Sequence, residues 1–271
     1  AKRAGFVETE FLYEPIAAGM DFEKTLHDNK TVLVVDIGGG TTDCSMLRMG
    51  PAHISNEQRK DDFLGHSGER IGGNDLDIQL AGTQLMPLFG MGTSLKNGLI
   101  IPSQIYWNAV KTNDVAAQNS FNNLQTEKQI EQFLRDSKVP DLIQRFINLR
   151  EEKQNHHIVR SAEQCKIDLS AQTSVTVDLA YIEDALACQV ARADFAESIQ
   201  RPLNKMMALM DEAIKQAGCK PDLIYVTGGS AQSPILRQAI EQNLGDVPVV
   251  DGDHFGSVAA GLTVWAERIF A

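Results

Sequence analysis

Cysteine is scarce in this sequence: four residues among 271, Cys44, Cys165, Cys188 and Cys219, widely spaced and without a C-x-x-C pair. That pattern supports neither a zinc site nor a disulfide framework. It leaves a reduced, cytoplasmic protein as the expectation. Positive charge is short as well, with 25 Lys and Arg against 36 Asp and Glu, a net charge of −11. Such a balance argues against a nucleic-acid partner or an anionic membrane surface, although a nucleotide needs only a local site. No apolar run is long enough to cross a bilayer, and the first residues do not read as a secretory leader. An initiating Met is absent too: "AKRAGFVETEFLYEPIAAG" opens inside what reads as the end of a helix, residues 1–4. The expectation is therefore a fragment or processed form of something longer. Its length allows one large or two modest domains.

What is present alternates between strand-like and helix-like patterns. A short strand is expected over residues 7–13, then the first turns of a helix over 14–19 with Pro15 at a tolerated position. Strands follow at 31–37 and 44–47. A polar stretch, 55–62, leads to Gly72-Gly73, with Asn74 as N-cap of a helix. Residues 86–123 hold no repeat and no low-complexity run, and read as loops with short helices. Amphipathic helices are expected at 127–134 and 141–153, separated by Pro140, and another helix at 158–169. Then come a strand at 174–179, one long helix over 193–217, a strand at 223–226, and helices at 235–243 and 256–270.

The stretch "VVDIGGGTTDCSML" runs from an apolar strand into three glycines and back into a strand. One or two glycines suffice for a hairpin. A third removes another Cβ and opens the backbone to close approach. Exposed N–H groups form a nest for phosphate, Thr41 and Thr42 add hydroxyls, and Asp36 and Asp43 flank the loop where a magnesium ion would lie. The alternative is an ordinary glycine-rich hairpin with solvated acids. No Gly-Lys-Ser/Thr follows and the chain continues as strand, so neither a P-loop nor a Rossmann fingerprint fits.

Two further constellations stand beside it. In "LIYVTGGSAQSPILRQAI" a strand ends in Gly228-Gly229-Ser230 and gives way to a helix with Pro234 in its first turn. This is either a phosphate or ribose contact or a plain connector. In "SAEQCKIDLS" the residues Glu163, Lys166 and Ser170 share one helical face, either a solvated polar face or a grip on adenine and ribose. His156-His157 is read as no metal site, because neighbouring side chains diverge on a helix. Met206, Met207 and Met210 are read as packing.

With these motifs in this order, the sequence resembles the nucleotide-binding domain of the DnaK-type heat-shock chaperones in the actin-like ATPase superfamily, and among them the YegD-like members. The triple-glycine stretch is similar to the family's second phosphate loop. "EPIAAG" is similar to its first connecting helix and "RIGGNDLD" to the start of its upper lobe. "AEQCKIDLS" resembles its adenine-side helix and "VTGGSAQSP" its adenosine loop. The resemblance spans nearly the whole chain and is weakest over 86–154. It implies an α/β fold, an actin-like (ribonuclease H-like) lobe with an inserted α+β upper subdomain. The core would be 32–73 with 196–255, the upper subdomain 74–195. Residues 1–31 would be a remnant of the first lobe with one connecting helix, and 256–271 the second connecting helix.

The resemblance also implies site roles. Gly38, Gly39, Gly40, Thr41 and Thr42 would hold the β- and γ-phosphates of ATP or ADP. Asp36 and Glu14 would surround Mg²⁺ through water and, with Thr41, serve hydrolysis. Gly228, Gly229 and Ser230 would meet the α-phosphate and ribose, and Glu163, Lys166 and Ser170 the adenosine. An unfolded client or a co-chaperone would be the parent's partner. Several family residues are replaced. Ile167 and Gln232 stand where arginines are usual, and His254 or Phe255 where an acid precedes the last helix, which implies weaker or rearranged adenine binding. The Asp–Gly–Thr hairpin of the family's first phosphate loop is absent, so turnover is expected to need that missing lobe. The two connecting helices would lose their docking surface, and the fragment would self-associate. Two other readings of the same motifs remain, a nucleotide-gated interaction module without turnover and a metabolite kinase of the same superfold.

Overall fold

The β-branched run at 30–37 becomes the central strand of a five-stranded sheet in the computed structural model, which describes residues 1–54, 59–252 and 256–270. The chain divides into two units, Ala1–Gly73 with Leu203–Ala271, and the intervening Asn74–Pro202. The first opens with a 3₁₀ turn, Lys2–Ala4, ended by Gly5 at φ 92°. The strand expected over 7–13 does not form. Val7 and Phe11 are 89 % and 90 % exposed, and an extended segment becomes a strand only when a neighbour takes its backbone hydrogen bonds. Helix α1 (Glu14–Glu23) carries Pro15 in its first turn. Strands β1 (Lys30–Ile37) and β2 (Thr42–Met49) make a hairpin, α2 (Pro51–Ile54) is a single turn, and β3 (Phe63–Glu69) completes an antiparallel meander.

Strand β3 is invisible in the sequence because "FLGHSGE" does not alternate. Its glycine has a tertiary reason: a Cβ on Gly65 would strike the carbonyl of Ala213.

Helix α3 (Gly73–Leu80) starts one residue before the expected cap, Asn74, and leads into the second unit. A π-helical turn, Ala81–Leu85, and a 3₁₀ turn, Met86–Phe89, extend it. Short helices α4 (Gln104–Val110) and α5 (Val115–Asn122) occupy the irregular stretch. Then come α6 (Leu124–Asp136), α7 (Pro140–Glu151), α8 (Asn155–Ala171) and the hairpin of β4 (Ser174–Asp178) with β5 (Ala187–Ala191). Tyr106, Phe121 and Phe146 meet in this unit's core, with ring centroids 4.4 and 5.8 Å apart.

The single helix expected over 193–217 is two, α9 (Arg192–Ser198) and α10 (Gln200–Ala217). Pro202 has no N–H to give the carbonyl four residues back, so the helix breaks at Ile199. The first unit then resumes with β6 (Leu223–Thr227), a 3₁₀ turn Gly229–Gln232, α11 (Pro234–Leu244), β7 (Val249–Asp251) and α12 (Ser257–Phe270).

Strand order is β3-β2-β1-β6-β7, with β1, β6 and β7 parallel and β2 reversed. This is the α/β order of an actin-like, ribonuclease H-like lobe, with the second unit inserted between β3 and β6. Val32, Val34, Leu47, Met49, Leu223 and Tyr225 pack against Ile16, Ala18 and Met20 of α1. Each such side chain, fully buried, contributes roughly 1.5–3 kcal/mol. The opposite face turns Leu33, Met46 and Ile224 inward, where Met206, Met210 and Ala213 of α10 are also fully buried.

The two helices expected to lack a docking surface have one. Ile16, Ala17, Ala18 and Met20 of α1 are buried, and α12 crosses α1 so closely that a Cβ on Gly261 would overlap the Ala17 carbonyl. Small residues on both helices allow backbones to meet. Gly261→Leu is therefore expected to cost about 3 kcal/mol or more, since two helix backbones rather than a flexible side chain must give way. Chemical denaturation checks it; a midpoint equal to the parent's shows that the crossing is loose.

Candidate functional site

Residues 38–41 connect β1 to β2, whose last rungs pair Asp36 with Asp43 and Ile37 with Thr42. The Gly38 N–H donates to the Thr41 carbonyl at 2.9 Å, closing the turn. Gly39, Gly40 and Thr41 are exposed, whereas Thr42 is fully buried. The two threonines thus divide. The Thr42 hydroxyl donates to the Ile71 carbonyl at 2.7 Å and holds the turn from behind, while Thr41 faces outward. A Cβ on Gly40 would meet nothing within 4 Å, and neither Gly38 nor Gly40 has a left-handed φ. These glycines are not needed for the turn's backbone. What they supply is open, approachable main chain.

The second glycine turn reaches the first. The Ser230 hydroxyl donates to the Gly38 carbonyl at 3.0 Å, and the same carbonyl accepts the Gly73 N–H at 3.0 Å. Gly228 sits at φ +89°, and a Cβ there would lie 2.6 Å from the Asp36 carboxylate and closer still to the Ile37 carbonyl. Glycine is required here on both counts. Gly72 is equally tight, since a Cβ would lie 2.7 Å from the Gly38 and Gly39 carbonyl oxygens. Among the sequence-predicted residues of this unit, Asp36, Gly38, Gly228 and Ser230 are brought into direct contact.

Burial first, then the negative charges of Glu14 and Asp43, push the Asp36 carboxyl up to about 6. Three acids act on one another here, which is the electrostatic setting in which a bound cation gains most. The donor set fits magnesium held through water. Among the described residues no group of three His, Cys, Asp or Glu is arranged to ligate a metal directly.

In the second unit, α8 carries Glu163, Lys166 and Ser170 on one face. Lys166 pairs with Asp77 of α3 at 2.8 Å. Glu163 borders a cleft of about 280 Å³ with Asp77, Asn74 and Arg160. The Ser170 hydroxyl leans back on the Lys166 carbonyl at 3.4 Å, and Arg192 caps the end of α8 through the carbonyls of Leu169, Ser170 and Gln172. Ile167 is 52 % exposed. His157, one of the adjacent pair, stacks on Tyr181 with centroids 3.7 Å apart. His254 and Phe255, the replacements for the family's acid, lie outside the described residues.

The family described as Hsp70 protein matches residues 121–268, more than half of the chain. The chain belongs to the Hsp70 family. It is similar to chaperone protein dnaK3 of Synechococcus elongatus, 25% identical over 273 residues that cover 97% of this chain and 29% of that one. Chaperone protein dnaK of Emiliania huxleyi is 25% identical over 98% of this chain and 35% of its own length. Chaperone protein DnaK of Thermus thermophilus is 24% identical over 90% and 32%. The chain spans about a third of the length of the curated relatives it matches. The matched Hsp70 span holds α8 and the Gly228 turn, and the Gly38 turn lies outside it.

Sequence reasoning missed Asp77 as a partner of Lys166 and Gly72 as the floor of the glycine turn. Both sit in "RIGGNDLD", where a doubled glycine before a helix was the available signal.

Because the Asp36 carboxyl is raised on folding, its contribution to stability is present below pH 4 and lost as pH rises through about 6. Asp36→Asn removes that loss. The variant is expected to melt a few degrees higher than the parent at pH 7.5 and no higher at pH 4. Scanning calorimetry at the two pH values measures it; equal melting temperatures at pH 7.5 mean that neither burial nor the neighbouring acids raise the Asp36 carboxyl.

Proposed function

We propose that this Hsp70-family chain is the second lobe of an ATP-binding, ATP-hydrolysing chaperone domain. Its core would be 32–73 with 196–255 and its upper subdomain 74–195, with the helices over 14–23 and 256–271 as connectors between lobes. The observation that carries the reading is the convergence of two glycine turns on the Gly38 carbonyl, beside a carboxylate pushed up to about 6. The exposed main chain of Gly39, Gly40 and Thr41 would donate to the β- and γ-phosphates, with the Thr41 hydroxyl beside it. Thr42 and Ser230, whose hydroxyl protons are committed to Ile71 and Gly38, would shape the cradle, and Ser230, Gly228 and Gly229 would offer main chain to the α-phosphate and ribose. Glu163, Lys166 and Ser170 are the adenosine side of the proposal.

Magnesium, when bound, supplies charge neutralisation on the phosphates. Asp36 and Glu14 would orient its water shell. Phosphoryl transfer asks little else of a protein than positioning and charge balance. The YegD-like members are the subfamily this reading favours, the cytoplasm its compartment, and an unfolded client or co-chaperone its macromolecular partner. A module that binds nucleotide without turnover is the second reading. It is favoured by Ile167, exposed where an arginine would stack on adenine.

One wall of a cleft leaves phosphate open to water, where electrostatic contacts are weak. The 271-residue chain is expected to bind Mg-ATP weakly and to release no phosphate. Calorimetric titration with a phosphate-release assay tests this; tight binding with steady release overturns the lobe assignment. Gly40→Val adds side chain where nothing lies within 4 Å, so the fold should survive while Mg-ATP affinity falls about tenfold or more. Unchanged affinity in the folded variant returns the loop to an ordinary hairpin.

A further inference from the structure

Asp77 has no role in the nucleotide reading, yet it is 2 % exposed and lines the cleft beside Glu163. A carboxylate that deep persists only with a partner. Its partner is the Lys166 ammonium, 2.8 Å from Oδ1 and 3.0 Å from Oδ2. The ammonium therefore straddles both oxygens, and a long, rotamer-rich side chain is held to one geometry.

We propose that Asp77 is the positioning residue for Lys166, its carboxylate fixing the ammonium on the Glu163 face of α8. The inference rests on the nucleotide reading only for the ligand that Lys166 would meet. Burial pushes the Asp77 carboxyl up to about 6 even though Lys166 lowers it; Glu163 and Asp75 add to the rise. As pH falls through about 6, Asp77 takes a proton and the ion pair is lost. The groups around it are Lys166, Glu163, Arg160 and His156 from α8 and Asp75 from α3, while the α4–α5 connection contributes the uncharged Thr112 and Asn113. His156 lines the same cleft, so the readouts must be specific to the pair. A buried acid with a lysine on it also makes this face poor for phosphate, which suits the sugar and base end of a nucleotide rather than its charged end.

Three variants of the full chain test the proposal: Asp77→Asn, Asp77→Glu and Lys166→Met. Acylation of Lys166 by an amine-reactive ester, followed by mass spectrometry, is read against Lys215, whose side chain is 82% exposed. Asp77→Asn is expected to raise the relative rate several-fold, and Asp77→Glu to stay near the parent. Carbon-13 NMR of the Asp77 carboxyl should show a midpoint near 6 that moves higher in Lys166→Met, because the ammonium no longer favours the charged form. Mg-ADP affinity, by calorimetry above pH 7, should fall about tenfold in Asp77→Asn. Faster acylation with unchanged Mg-ADP affinity upholds the positioning role and removes Lys166 from the nucleotide reading. Unchanged acylation in Asp77→Asn, or an unmoved Asp77 midpoint in Lys166→Met, overturns the proposal. The NMR arm stands even where Asp77→Asn does not fold.

Discussion

The Gly38 carbonyl is the point on which the candidate site depends. It accepts the Ser230 hydroxyl and the Gly73 N–H, each at 3.0 Å. Three turns that are far apart in sequence are thereby fixed to one oxygen: the β1–β2 turn, the turn after β6, and the entry to α3. Two acceptor lone pairs, both used, leave little freedom in the turn. The glycines around it follow from the same constraint, because Gly72 and Gly228 pack against carbonyls where a Cβ has no room. Glycine at Gly40 has another basis, open space, and that contrast separates positions that build the turn from those that leave it approachable.

Electrostatics reinforces the contrast between the units. Two carboxyls, Asp36 and Asp77, are pushed to about 6 mainly by burial. Their surroundings differ in kind. Asp36 is pressed by the acids Glu14 and Asp43, both of which raise it, a setting that favours an external cation. Asp77 has Lys166 within 3 Å, so its charge is balanced within the chain. A chain with net charge −11 can therefore hold one buried acid pressed by like charges and another paired with a lysine, and a tally of acids would not distinguish them.

Much of the fold was legible along the chain. Strands β1, β2 and β6 announced themselves by β-branched, apolar runs, and α6, α7, α8, α11 and α12 by helical periodicity. Strands β3, β5 and β7 did not. They are short, or carry glycine and polar residues, and they exist because a neighbouring strand was already there to take their hydrogen bonds. The stretch over 7–13 is the converse case, β-like in composition but without such a neighbour. The break at Ile199 was readable from Pro202, since a proline costs the preceding turn a hydrogen bond wherever it falls in a helix interior.

The sequence by itself determined the glycine turns, the helical face carrying Glu163, Lys166 and Ser170, and the Hsp70-like order of motifs, since all of these depend on local geometry and spacing. Only the tertiary structure decided what each polar group does. Thr41 and Thr42 are chemically alike and adjacent, yet one faces out and the other donates to Ile71, because β-strand side chains alternate and the backbone opposite Thr42 comes from 29 residues away. Lys166 could have paired with Glu163 on its own helix; it pairs with Asp77, brought there by α3 from 89 residues away. Donors and acceptors are written in the chain, but their partners are chosen by packing.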